Sequence, residues 1–530
     1  MRFLSLSYRL LGVPALVVAA ACSSGSPVED PAQEEDVAEA VPDGKADNYL
    51  SPTSMEYRLS GQGKLELDAS WKDKTDAEKE ARARLLLDFK FKAYAHYINV
   101  YVTNKEGEES NAKYGGFSGA VRKSSIDSLV ETADSTKMAW TFLWDLEMGA
   151  PRDIMNKLQI QTKSTGEKVF MVKLPALDES SLLNGSYSKD FDPSTYTGAM
   201  EDLEVQIDPI KASFDAWPNY NALLEDGKLD VLVLVGGDYN AERYDLQAAE
   251  KIFAWLKQAG YKHDAASYKD LTLDSPPLIK TMMANGKPVS VEVTFYHPDI
   301  VEDAKLPDLK QKIIEAYQTK DVLIYDGHAG EDPSYSGVVY HYNPRHAISA
   351  NDLAQMNLPS KYQIYLFNGC KTYSAYPDAL YQSPTKTVAN LDIISTVNFS
   401  WLTMQPFTTS GFITQLMAVK NGTHDPRTYL EILGEINKSS NWNVYYGVHG
   451  IDDNPHVNPY AEPASLCKSC TADTGCPGMG NKCIKLSTTK VCAAECTADD
   501  GCPEGYACKQ IAAGGQITGM QCLPKTLQCQ

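Results

Sequence analysis

His328 and Cys370 are the two side chains whose types and setting point to joint chemistry. Each follows a short apolar run: Val322-Leu323-Ile324-Tyr325 leads into Asp326-Gly327-His328-Ala329-Gly330, and Ile364-Tyr365-Leu366-Phe367 leads into Asn368-Gly369-Cys370. Apolar runs of this length bounded by glycine read as buried strands. In an open α/β sheet, ligands gather beyond the carboxyl ends of the strands. If the two strands are neighbours, an imidazole and a thiol emerge at one edge. A thiolate is a nucleophile, and histidine is the usual group that takes the thiol proton and later returns it to a leaving amine. Backbone N–H groups at glycine-bearing turns can bind a developing oxyanion.

The cysteine distribution sets Cys370 apart. Of twelve cysteines, ten lie together near the end of the chain: Cys467, Cys470, Cys476, Cys483, Cys492, Cys496, Cys502, Cys508, Cys522 and Cys529. Their segment contains an internal repeat, Cys470-Thr-Ala-Asp-Thr-Gly-Cys476-Pro477 returning as Cys496-Thr-Ala-Asp-Asp-Gly-Cys502-Pro503. Modules of about thirty residues cannot bury enough core to fold unaided, so cross-links are expected. Zinc is the rival reading, because Cys467-Lys-Ser-Cys470 has ligand spacing. Disulfides are preferred for an exported chain with an even set of cysteines, and spacing does not fix their pairing.

Export is read from the first residues. Met1-Arg2 precedes an apolar stretch from Leu10 to Ala21, followed by Cys22-Ser23-Ser24-Gly25. The stretch is too short to span a bilayer, and the small residues before Cys22 suit a cleavage site. It resembles a bacterial lipoprotein signal, which implies lipid attachment at Cys22, a membrane anchor through that lipid, and an exported chain facing the periplasm or displayed at the cell surface. An ordinary secretory signal is the alternative. Residues 23–52, rich in Pro, Ala, Glu and Asp, read as a disordered acidic tether.

The elements that must position the pair begin after Trp217. Leu229 to Val235 is a continuous apolar strand ending in Gly236-Gly237, as in a parallel sheet covered on both faces. A helix follows, with Leu246, Ala249, Phe253 and Leu256 on one face and Gly260 as its stop. Further strands are expected at Val289 to Tyr296, Val322 to Tyr325, Tyr362 to Phe367 and Leu391 to Val397, with helices at Leu309 to Thr319 and Ser410 to Val419. This alternation predicts a doubly wound, mostly parallel α/β sheet with flanking helices. Ahead of it, Leu85 to Tyr94, Ile98 to Val102, Met138 to Leu143 and Lys168 to Leu174 suggest strands of a mainly β domain, with a sandwich as the candidate arrangement. His96 within it reads as structural, His341 and His346 as flanking a turn at Asn343-Pro344, and His449 as part of an exit loop.

Composition excludes some functions. A formal net charge of -20 with no Lys/Arg cluster argues against a nucleic-acid partner. No HExxH or comparable ligand cluster appears, so no metal site is expected.

From Leu229 to Tyr460 the sequence resembles the caspase-like superfamily of cysteine peptidases, which includes caspases, metacaspases, legumains, gingipains and clostripains. The resemblance lies in a His-Gly-type element after one apolar strand and a small-residue-Cys element after the next, histidine first. It implies His328 as general acid/base, Cys370 as nucleophile, and the backbone N–H groups of Ala329 and Cys370 as oxyanion donors. The reaction would be hydrolysis of a protein or peptide substrate through a thioester acyl-enzyme, without a cofactor. Arg243 is similar in position to a pocket arginine of caspases and legumains, and a surface arginine is the alternative. Trp401 and Met404 follow the Leu391 strand, where relatives build a pocket wall, with core packing as the alternative. The family usually has glycine where Ala329 stands, and Asn368 replaces the Asp common in relatives that cleave after basic residues.

The domains expected are a lipoprotein signal peptide (1–22), a tether (23–52), a mainly β domain (53–215), a caspase-like peptidase domain (216–462) and a disulfide-rich repeat domain (463–530). A catalytically inactive surface binding or adhesion lipoprotein is the alternative function.

Overall fold

The computed structural model describes residues 48–106, 120–122, 130–185, 187, 191–330, 333–402, 405–438, 444–486, 489–513 and 516–529. The segments expected to be a signal peptide and most of the tether, together with Cys22 and Met404, lie outside them. The last residues assigned to the tether are packed instead: Tyr49 is buried, and Leu50 pairs with Val448.

The first domain corrects a strand reading. Asp76–Glu106 is one helix, spanning both Leu85 to Tyr94 and Ile98 to Val102. Its buried residues include Ala83, Leu86, Leu87, Phe91, Tyr94, Ile98 and Val102, separated mostly by the three- and four-residue steps of a helix face. The misleading local alternation comes from lysines; Lys90 is itself buried and ion-paired with Glu201. Thr75 and Glu78 cap the start, with Thr75 N–H donating to Glu78 Oε2 at 2.8 Å and Glu78 N–H to Thr75 Oγ1 at 3.3 Å.

This helix packs on one seven-stranded antiparallel sheet ordered Ala120–Arg122, Ala139–Pro151, Ser54–Glu66, Met200–Pro209, Lys168–Pro175, Gln161–Thr162, with Val130–Ala133 also on Ala139–Pro151. Helix and sheet share a core of Leu86, Tyr94, Ile98, Phe142, Trp144 and Val205. The domain is therefore a single sheet with a helical layer, not a sandwich. Gly63 permits the close approach, since a Cβ there would lie 2.3 Å from Phe142 and 2.8 Å from Tyr94.

The second sheet has nine strands, ordered Val419–Lys420, Thr423–His424, Leu278–Ala284, Lys287–Tyr296, Lys228–Val235, Val322–Asp326, Gln363–Asn368, Leu391–Thr396, Tyr446–His449. Lys287–Tyr296 through Leu391–Thr396 run parallel, and Leu278–Ala284 and Tyr446–His449 flank them antiparallel. Numbering the five parallel strands in chain order gives 2-1-3-4-5, a doubly wound order with its switch point beside the first strand. Side chains alternate between the two faces. Val231, Val233 and Val235 join a core with the helices Tyr244–Gln258 and Tyr429–Lys438, whereas Leu232, Leu234, Leu323 and Tyr325 join Leu306–Thr319 on the other side. Gly260, at φ +93°, ends the first of these helices as expected. The helix expected at Ser410 to Val419 runs Gln405–Leu416, and Asn421-Gly422 turns a short hairpin beyond it. His449 ends a buried strand rather than an exit loop.

The tail forms a four-stranded sheet closed by five disulfides. Both repeats use one pattern: Cys470–Cys483 and Cys476–Cys492 in the first, Cys496–Cys508 and Cys502–Cys522 in the second. Cys467–Cys529 joins the ends of the module. With these sulfurs oxidised, the zinc reading falls away. Such cross-links imply an oxidising environment, and among the described residues no helix is long and apolar enough to cross a membrane.

Candidate active site

Strand register brings the histidine and cysteine loops together. In the parallel pair Val322–Asp326 and Gln363–Asn368, Asp326 lies opposite Asn368, so His328 and Cys370 each follow two residues past the same rung. Gly327 N–H donates to Asn368 O at 3.2 Å. The loops touch: a Cβ on Gly369 would lie 2.6 Å from the Ala329 Cβ and 2.8 Å from Gly327 O. The backbone segments expected to supply the oxyanion donors therefore abut. On the other side Asp326 lies opposite Val235, and Gly236 N–H donates to Asp326 O at 2.7 Å. Three strand ends thus meet at the switch point.

The third strand end supplies a residue that sequence reasoning passed over. Asp238 is buried, and its Oδ1 accepts from His328 Nε2 at 2.9 Å. The same carboxylate accepts from Asn240 N–H and Nδ2 and from Tyr244 N–H. Burial pushes its pKa up, but the His328 hydrogen bond and the Asn240 backbone outweigh that and hold it below the ordinary carboxylate range. A carboxylate accepting from Nε2 fixes that nitrogen as the N–H, leaving Nδ1 as the basic nitrogen of the neutral ring. Tyr239 stacks on the imidazole, centroids 4.7 Å apart at 23°, and Tyr342 leans on it at 5.5 Å. Tyr325 OH donates to His328 O at 2.7 Å. The available signal was Asp238 directly after the Gly-Gly end of an apolar strand.

Cys370 is 1% exposed and belongs to the core of the first domain, with Tyr373, Val397, Phe399 and Leu402. Its Sγ lies 3.5 Å from Ser400 O. Here it is half of a disulfide, so its sulfur is oxidised. Below the pair, Asn368 Nδ2 donates to Asp326 at 2.8 Å, while Ser400 Oγ and Tyr446 OH donate to Asn368 Oδ1 at 2.7 and 2.8 Å. Thr409 also donates to Asp326. Burial drives the Asp326 carboxyl up to about 7, against the Thr409 and Asn368 bonds.

The two pocket candidates do not join this cluster directly. Arg243 is bound by Asp245 at 2.9 Å and Asp299 at 2.7 Å. Trp401 is 1% exposed and packs in the sheet core with Phe412, Ile413 and Leu416, which favours the core-packing alternative. Glu331 and Asp332, beside the histidine loop, lie outside the described residues. Among the described residues, the groups of ligand atoms close enough to hold a metal are tail cysteines already in disulfides.

Fold and site together define a mixed α/β protein in which a His328–Asp238 pair lies at the ends of two parallel strands and the strand leading to Cys370 ends on the adjoining rung. No protein-family model, curated protein or solved structure matches this chain.

Proposed function

We propose that the chain is a caspase-like cysteine endopeptidase, exported and held at a membrane by lipid on Cys22. Cys370 attacks the scissile carbonyl, His328 takes the thiol proton and returns it to the leaving amine, and Asp238 holds the imidazole. Water then resolves the thioester. The observation that carries this reading is the Asp326–Asn368 register, which ends the histidine and cysteine strands on one rung beside the strand that delivers Asp238.

The nucleophile acts only as a thiol, so turnover requires Cys370 in its reduced form.

The oxidised sulfur and its burial favour one second reading, a surface binding lipoprotein with a peptidase-like sheet and no turnover. A thiol-directed peptide probe separates the two. Labelling of Cys370 in reduced protein, abolished by His328→Ala, is the outcome expected of a peptidase. Absence of labelling and of cleavage across a diverse peptide library would leave the binding reading.

A further inference from the structure

Arg243 stands at the head of a chain of contacts that ends on His328, and we propose that it is a positioning residue for that imidazole, not a substrate-binding one. The proposal rests on the peptidase reading. Its guanidinium is occupied on two sides: Nε and Nη2 donate to Asp245 at 3.0 and 2.9 Å, and Nη1 and Nη2 donate to Asp299 at 3.3 and 2.7 Å. A pocket arginine needs donors directed at a ligand, whereas these are directed at the protein's own carboxylates.

Asp245 passes the constraint on. Its side chain is fully buried, and its Oδ2 accepts the backbone N–H of Asp238 at 3.2 Å. Asp238 in turn accepts from His328. The loop 237–245 is thus folded around two carboxylates, one facing the imidazole and the other facing Arg243. Burial raises the Asp245 pKa, and the Asp238 charge adds to this while Arg243 opposes it. Without the guanidinium, two neighbouring buried carboxylates lose their compensating cation, and the loop has reason to rearrange.

Backbone geometry points the same way. Arg243 adopts φ +48°, ψ +61°, at the start of the Tyr244–Gln258 helix. That left-handed conformation is sparsely populated for a residue with a Cβ and persists where surrounding contacts enforce it. Asp299 lies just past the Lys287–Tyr296 strand, so the guanidinium also ties the switch-point loop to the neighbouring strand end.

The test uses the reduced full-length chain and peptides with Asp, Asn, Ala or Lys before the scissile bond. Arg243→Gln is expected to lower kcat about 10- to 100-fold on all four with KM little changed, the mark of a displaced catalytic group. The low-field proton resonance of His328 Nε2–H, identified by its loss in His328→Ala, should shift or broaden in the same variant. Asp299→Asn keeps the Asp245 pair and should move both readouts less, which guards against misfolding of Arg243→Gln. A selective loss on Asp or Asn peptides through KM, with the resonance unmoved, would overturn the proposal in favour of a pocket role. If the parent chain cleaves nothing, the peptidase reading fails, and the resonance alone decides whether Arg243 positions His328.

Discussion

His328 Nε2 donates to Asp238 Oδ1 across 2.9 Å, joining residues 90 positions apart through the ends of two neighbouring parallel strands. Asp238→Asn would offer an amide N–H where the imidazole needs an acceptor, turning the ring to the wrong tautomer. A fall in kcat of about 10²- to 10⁴-fold is expected, with KM nearly unchanged in protein that the melt shows to be folded. Steady-state kinetics beside a thermal melt checks this, and unaltered kcat would remove Asp238 from the mechanism.

The state of Cys370 is the second point. Oxidised and buried, it is expected to resist iodoacetamide in the untreated protein and to react once a reductant is added. Peptide mapping by mass spectrometry locates the label. Full alkylation of Cys370 without reductant would mean that the oxidised form does not persist in the isolated protein.

Asp392 gives a pH prediction at the opposite end of the sheet. Its Oδ2 accepts from Tyr362, Tyr429 and Asn454, and burial pushes its carboxyl up to about 7. Between the ordinary value near 3.8 and about 7 the folded state holds a proton that the unfolded state has released. Stability from this group is therefore greatest below pH 4, falls as pH rises to about 7, and is flat above. Asp392→Asn cannot ionise, so its melting temperature relative to the parent should rise across that window and then level off. A difference independent of pH would refute the assignment.

The tail should depend on its bridges. Cys470→Ala together with Cys483→Ala opens a loop spanning 13 residues, and removing such a bridge typically costs about 2–4 kcal/mol. Cleavage within 467–529 by a broad protease should be faster in this variant of the full chain, while the two sheets upstream stay protected. Unchanged cleavage would show that the four-stranded sheet holds without this bridge.

What the sequence determined by itself is local. The apolar runs ending at Gly236, Asp326 and Asn368 announce buried parallel strands because each is a continuous stretch with a glycine turn behind it, and the His328 and Cys370 positions follow from those ends. The tail cysteines announce cross-links because they recur at matching intervals. The helix Asp76–Glu106 was hidden because a buried lysine at position 90 imitates strand alternation; its partner, Glu201, lies far along the chain. Disulfide pairing was equally hidden, since spacing leaves many connectivities open. Asp238 and Arg243 were in view, but their roles depend on strand order. Only the packed 2-1-3-4-5 sheet brings the first strand beside the third, turns Asp238 onto the imidazole and commits Arg243 to Asp245 and Asp299. Contacts between strand ends are set by register and layer packing, which no window of sequence encodes.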